Sequence, residues 1–259
     1  MANLKKYTPF KSLFVLFLTL SICGCSSAPY SVSKKDGKTI PVTDANGTEN
    51  RIEGYIEPFR TSINKDLSTV VAYSPQTLDK SKGKWQTSIG NLMADVSRQR
   101  GNLIFKVRQQ KDIDVCLLNQ GGIRSIIPQG DVTTRTAFEI MPFENSLVVA
   151  ELKAEQIREI AAYIIADKKP HPLSGMTFSI INGNASNIKI QGQDLNDERT
   201  YFVATSDYLL NGGDKMDFFE RALNVYDLDY KIRNVLIDYF KEVDTVNAAD
   251  DVRIIENMN

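Results

Sequence analysis

Histidine is all but missing from this chain: His171 is the only one in 259 residues. A self-contained two-metal hydrolytic centre needs several His, Asp and Asn ligands around ions about 3.5 to 4 Å apart, so the chain alone cannot build one. His171 itself sits in the polar, proline-flanked stretch Lys168-Lys169-Pro170-His171-Pro172, which reads as an exposed loop. Cysteine is scarce too. Cys23 and Cys25 lie near the N-terminus and only Cys116 falls in the body of the chain, where a single thiol forms no internal disulfide. Cys116 belongs to the apolar run Ile113-Asp114-Val115-Cys116-Leu117-Leu118 and reads as a small, inert hydrophobe of a core strand. Neither a Gly-x-Ser-x-Gly elbow nor a Gly-x-x-x-x-Gly-Lys-Ser phosphate loop occurs, which leaves no recognisable nucleophile or triphosphate cradle.

Long apolar runs are also absent, with one short exception near the start. Lys5, Lys6 and Lys11 precede the run Leu13 to Leu18, which continues through Thr19 to Ile22. A membrane-spanning helix needs about 20 apolar residues, so this segment reads as the n-region and h-region of a signal peptide. It stops at Ile22-Cys23-Gly24-Cys25-Ser26-Ser27, which resembles a bacterial lipobox. The small Gly24 gives a peptidase access to the bond before Cys25, whose thiol would carry the lipid. Bulky Ile22 makes Cys23 the poorer acceptor, and the alternative is a soluble secreted protein with an incidental cysteine pair. Residues 1–24 are thus expected to be removed, and Ser26 and Ser27 after Cys25 suggest a lipid-anchored chain on the periplasmic side of the outer membrane. The remainder would hold 28 basic against 32 acidic side chains, a formal charge of −4, which offers no basic field to nucleic acid.

Residues 25–50 are rich in Ser, Lys, Asp, Gly, Thr and Asn without helical or strand periodicity, as expected of a flexible tether. Residues 51–259 read as one domain. Ile52, Ile56, Phe59, Ile63 and Leu67 recur at spacings of three and four and predict a helix with one apolar face. A strand over Ser68 to Ala72 follows. Thr87 or Ser88 is a plausible N-cap for a helix running to Arg100, with Gly101 beyond its end. Strands are expected at Asp114 to Leu118, Ser146 to Leu152, Met176 to Ile180, Asn187 to Ile190 and Tyr201 to Thr205. Helical spacing marks Thr134 to Ile140, Ala154 to Ala166 and Tyr230 to Tyr239. The mixture is α/β or α+β, with short connections.

Three short segments carry binding chemistry, each weakly when read singly. Asn119-Gln120-Gly121-Gly122-Ile123-Arg124 follows an apolar strand; its glycines permit close approach of backbone N–H groups and Arg124 offers a fork of donors to phosphate or carboxylate. Read alone, it is better explained as a glycine turn with a solvated arginine. Tyr208-Leu209-Leu210-Asn211-Gly212-Gly213-Asp214 ends a strand in a turn with an aromatic and a carboxylate, and such turns are usually only turns. Met141-Pro142-Phe143-Glu144-Asn145 is also explained as a helix stop with a packed Phe.

Taken in order, Ile89-Gly90-Asn91-Leu92, Asn119 to Arg124, Met141-Pro142-Phe143 and Asn211-Gly212-Gly213-Asp214 resemble the C-terminal domain of 5′-nucleotidases, a family that includes periplasmic UDP-sugar hydrolases and ecto-5′-nucleotidases. The resemblance spans Ile52 to Asp251 and implies an α/β fold in four layers. It implies that Phe143 and Tyr208 sandwich a base, that Asp214 accepts the ribose hydroxyls, and that Asn119 and Arg124 face sugar and phosphate, with Gly121, Gly122 and Gly213 also among the substrate-binding residues. Two positions depart from the family. Gly83, between Lys82 and Lys84, stands where an arginine is usual, and Lys215 stands where glycine is preferred. The resemblance also places divalent metals such as Zn or Mn on a catalytic domain that this sequence does not contain. It therefore implies the substrate-binding part of a split 5′-nucleotidase whose metallophosphoesterase is separately encoded. A non-catalytic envelope receptor for nucleosides or nucleotides is the alternative, and a diverged scaffold without a working pocket is a third, favoured only by Gly83 and Lys215.

Overall fold

Alternation of side chains along the central strands decides the architecture. In the computed structural model, which describes residues 31–257, β1 (Val70–Ser74) pairs with β3 (Gly130–Thr133), while β2 (Val115–Leu117), β4 (Ser146–Lys153), β5 (Leu173–Ser174), β9 (Thr200–Ser206) and β10 (Asn224–Lys231) form a five-stranded mixed sheet in the order β10-β4-β9-β2-β5. Leu147 and Val149 of β4, Cys116 of β2 and Phe202 and Ala204 of β9 face one core. Ala150 and Leu152, Val115 and Leu117, and Tyr201 and Val203 face another. A strand apolar on both faces must be covered on both.

The first face is covered by α2 (Ser88–Gln109) and α6 (Ile232–Glu242), with the short α3 (Thr134–Ile140) beside them. The second is covered by α4 (Ala154–Asp167), whose Ile157, Ile160 and Ile164 lie on one stripe. On the far side of α4 lies a four-stranded sheet, β11-β6-β7-β8, made of β6 (Met176–Ile181), β7 (Asn184–Ile190), β8 (Gln193–Asp194) and β11 (Ile254–Asn257). The sequence of layers is helices, sheet, helix, sheet, as the resemblance implied. Each fully buried Ile of the α4 stripe stabilises this stack by about 1.5 to 3 kcal/mol.

The chain divides into two units, Met1–Glu53 and Gly54–Asn259. Of the first, the described residues hold a single 3-10 turn, Asp44–Asn46, capped by Thr43, and the beginning of α1 (Asn50–Leu67). The helix expected from Ile52 to Leu67 is present, but none of its residues is buried, and Ile52, Phe59 and Ile63 stand in solvent. The signal-peptide region and Cys25 lie outside the described residues. Among the described residues, no helix is long and apolar enough to cross a membrane.

Some boundaries differ from the sequence reading. The strand expected at Ser68 to Ala72 sits two residues later, the one expected at Asn187 begins at Asn184, and the helix expected at Tyr230 begins at Ile232. The helix α2 does not stop at Arg100. It is capped by Thr87, whose Oγ1 accepts from Gly90 N at 3.1 Å, and continues to Gln109, where Gln110 turns left-handed at φ 56°. Gly101 lies inside it because a Cβ there would meet Leu147 Cδ2 at 2.9 Å and Leu228 Cδ1 at 3.2 Å. The residue is a close-packing glycine, not a terminator.

The C-terminal segment is pinned by an ion cluster around a buried arginine. Arg253, 4% exposed, meets Asp95 Oδ2 at 2.6 Å and Asp251 Oδ1 at 3.1 Å, and also donates to the Leu173 carbonyl. Ser174 Oγ donates to the other Asp95 oxygen at 2.6 Å. This joins α2, β5 and the lead-in to β11.

Candidate nucleoside-binding site

Strand order brings the three motifs together. β2 and β9 are parallel neighbours and β9 pairs antiparallel with β4, Leu147 opposite Ser206. The carboxyl ends of β2 and β9 and the start of β4 therefore open on one edge of the sheet, which is where ligands of α/β sheets usually sit. From β2 the chain runs into Asn119 and the 3-10 turn Gln120–Gly122. From β9 it runs into α5 (Asp207–Leu210) and the turn Gly213–Lys215. Before β4 it passes through Phe143 and Asn145.

A cavity of about 370 Å³ lies at this edge, lined by Asn119, Gly121, Gly122, Arg124, Phe143, Asn145, Tyr208 and Asp214. Its volume is in the range of small-molecule sites. Phe143 and Tyr208 are left 40% and 46% exposed, so two aromatic faces stand open to whatever enters. Gly213 does not line the cavity but carries the Tyr208 ring: a Cβ at 213 would lie 2.5 Å from Tyr208 O and 2.6 Å from its Cε1. Gly122 is similarly tight against Asn119 Oδ1, at 2.8 Å.

Asp214 is the hub of the polar contacts. Asn119 Nδ2 donates to its Oδ2 at 2.7 Å, and Tyr208 OH donates to its Oδ1 at 2.9 Å. The bond to that carboxylate holds the Tyr208 phenol above its ordinary range. Among the described residues the Arg124 guanidinium makes one long hydrogen bond, 3.4 Å, to Gly121 O, and lies 5.9 Å from the Phe143 ring centroid. Lys80, which the sequence did not single out, donates to the Ile123 carbonyl beside it. Desolvation, and then the Arg124 charge, push Lys80 below the usual lysine range. Among the described residues neither cation has a carboxylate within ion-pair distance.

The two departures resolve differently. Gly83 has φ 116° and a Cβ there would fall 1.9 Å from Gln86 O, so this turn has no room for a side chain. Lys84 is taken by Glu256, which also accepts from Trp85 Nε1 at 2.9 Å. Lys215 adopts the left-handed φ of 62° that glycine takes without strain, and its side chain is exposed outside the cavity lining. His171 is not the exposed loop residue expected. It is 3% exposed, with Nε2 2.8 Å from Asp167 Oδ2, because Leu118 N bonds to Pro172 O at 2.9 Å and so draws its loop onto the sheet edge. Cys116 is buried, as read from the sequence. Among the described residues no group of three or more His, Cys, Asp or Glu is placed to hold a metal ion.

The family model for "5′-nucleotidase, C-terminal domain" matches residues 68–221. The chain belongs to the 5′-nucleotidase C-terminal domain family. It is 26% identical over 237 residues to Protein UshA of Yersinia enterocolitica, covering 83% of this chain and 40% of that protein. It is 23% identical over 228 residues to the trifunctional nucleotide phosphoesterase protein YfkN of Bacillus subtilis, covering 81% of this chain and 15% of that one. Among solved structures, the 5′-nucleotidase precursor from Thermus thermophilus superposes with a TM-score of 0.66 at 23% identity, over 80% of this chain and 42% of that chain, which establishes the shared fold. The chain thus spans less than half the length of each of these relatives.

Proposed function

We propose that this cavity binds the nucleoside part of a nucleotide, with the base between Phe143 and Tyr208, the ribose on Asp214 and Asn119, and the phosphate toward Arg124. The observation that carries the reading is the pair of exposed aromatic faces on a cavity that also holds a hydrogen-bonded carboxylate. An ionised carboxylate offers about four lone-pair sites. Asn119 and Tyr208 use two of them, leaving two for the vicinal hydroxyls of a ribose. Aromatic stacking is tolerant of the base identity, so discrimination among bases is expected to be weak.

On this reading the chain supplies substrate binding to phosphate-ester hydrolysis, and a separately encoded metallophosphoesterase supplies the divalent metals and the chemical step. An N-terminal lipid on Cys25 would keep the chain at the cell envelope, with residues 25–50 as the tether. The family description and the name of YfkN, a trifunctional nucleotide phosphoesterase, support the nucleotide chemistry. Isothermal titration with adenosine and AMP, without metal, tests the pocket: no binding of either overturns it. Mixing the chain with a candidate phosphoesterase and following AMP hydrolysis tests the split arrangement. The contacts of Asn119 and Tyr208 with Asp214 are already formed within this chain, which favours a second reading, capture of nucleosides or nucleotides without hydrolysis; it predicts binding in the first assay and no change of rate in the second.

A further inference from the structure

Behind the cavity, Asp167 and His171 form a pair that the nucleoside contacts do not use. Asp167 closes α4, and His171 lies in the loop that returns the chain to β5. Besides its contact with Asp167, His171 places Nδ1 3.3 Å from the backbone N of Gln120. A neutral imidazole has one donor and one acceptor nitrogen. The Gln120 N–H can only donate, so Nδ1 is the bare nitrogen and Nε2–H donates to Asp167. A single tautomer satisfies both contacts. Gln120 opens the turn that carries Gly121 and Gly122 and directly follows Asn119, the residue bonded to Asp214. Tyr163 of α4 packs its ring on His171 at 5.4 Å and donates its hydroxyl to the Asp214 backbone carbonyl at 2.9 Å. One cluster thus holds both halves of the cavity, the Gln120 turn through His171 and the Asp214 turn through Tyr163.

We propose that neutral His171 is a positioning residue for the pocket: it fixes the Asn119–Gly122 turn by accepting the Gln120 amide, and its protonation releases that turn and weakens ligand binding. The imidazolium has two donors and no acceptor, so a proton on Nδ1 would face the Gln120 N–H and the bond would be lost. The groups facing the ring are Asp167 and Tyr163 from α4, Lys169 from its own loop and Asp214 from the opposite turn. Burial lowers the His171 pKa below the ordinary range, Asp167 and Asp214 oppose this, and Lys169 adds to it. The pocket is therefore intact at neutral pH and loosens in acid. This inference rests on the nucleoside-binding reading only for its effect on affinity.

Two measurements separate the inference from that reading. Nitrogen-15 NMR of the whole chain between about pH 5 and 8 reports the His171 tautomer and the exchange protection of the Gln120 amide without any ligand. Expected are an Nε2–H tautomer at neutral pH and protection that falls as the ring titrates. In His171→Gln, whose amide oxygen accepts without titrating, protection persists across the range, whereas His171→Leu loses it throughout. A Gln120 amide indifferent to the ring's protonation overturns the proposal from the wild-type data alone, whether or not the variants fold. Adenosine, which carries no phosphate to titrate in this range, is then titrated over the same pH values. Its affinity is expected to fall by up to about tenfold per pH unit below the ring's pKa and to stay level in His171→Gln. Affinity that is level in the wild type while the turn loosens also overturns the proposal. Adenosine that fails to bind at any pH, with the amide behaving as expected, overturns the nucleoside reading and leaves His171 as the anchor of the turn.

Discussion

Truncating Phe143 to alanine removes one of the two exposed faces and tests the pocket most directly. Alanine substitution at a base-stacking aromatic costs about 1 to 3 kcal/mol, and a mid-range loss of about 2 kcal/mol is roughly a thirtyfold weaker Kd. The fold should suffer less than from a core truncation. A fully buried Phe→Ala change costs about 3 to 5 kcal/mol, but Phe143 is already 40% exposed, so about three-fifths of that cost, about 2 to 3 kcal/mol, applies. The Arg124 guanidinium 5.9 Å from the ring loses its partner too, which puts AMP at a greater disadvantage than adenosine. Phe143→Leu separates the two effects, since it restores much of the apolar volume without a π-face: its melting temperature should return toward wild type while its affinity stays low. The assay is calorimetric titration of adenosine and AMP with parallel thermal melts. A Phe143→Ala chain that melts cooperatively and binds adenosine within twofold of wild type would refute the stacking argument.

Three other expectations concern the fold. Gly175→Ala should lose more than about 2 kcal/mol, read as a lower denaturant midpoint, because φ is 77° and a Cβ would fall 2.1 Å from the Asp114 carbonyl oxygen. Arg253→Met should cost about 3 to 5 kcal/mol by stranding Asp95 and the Leu173 carbonyl; the chemical-denaturation midpoint reports it. His171 should make stability fall in acid: its folded pKa lies below the ordinary 6.5, so as pH drops below that value the unfolded chain takes up a proton the native ring resists. Denaturation series at several pH values should show that slope reduced in His171→Gln.

Much of the layered core was legible because it is written in local periodicity. Largely apolar runs in Ser146–Lys153 and Thr200–Ser206, buried on both faces, and the three-and-four spacing in Ala154–Asp167 mark their elements without help from the rest of the chain. The motif residues were legible for another reason: each turn is weak by itself, and only their order along the chain resembles the family. What joins them was not. The parallel pairing of β2 with β9 places Asn119 against Asp214, 95 positions apart, and no local pattern encodes that pairing. Gly101 was misread because a close-packing glycine and a helix terminator look alike until the neighbouring Leu147 and Leu228 are known. His171 was misread because polar, proline-rich flanks usually mean solvent, while here the backbone bond between Leu118 and Pro172 folds its loop inward. Lys80 carried no signal at all, its role arising from where the Ile123 carbonyl lies.

The contact of Tyr208 with Gly213 has a consequence for how such a pocket changes over generations. Positions 208 and 213 are not independently variable: any side chain at 213 collides with the ring and with the carbonyl of residue 208. A change at 208 can remove the clash with the ring, but every side chain at 213 still meets the 208 carbonyl oxygen at 2.5 Å, so glycine at 213 persists while 208 varies. Libraries that randomise the two sites together should return glycine at 213 beside varied residues at 208, and a double-mutant cycle across them should recover only the part of the misfit that the ring contributes.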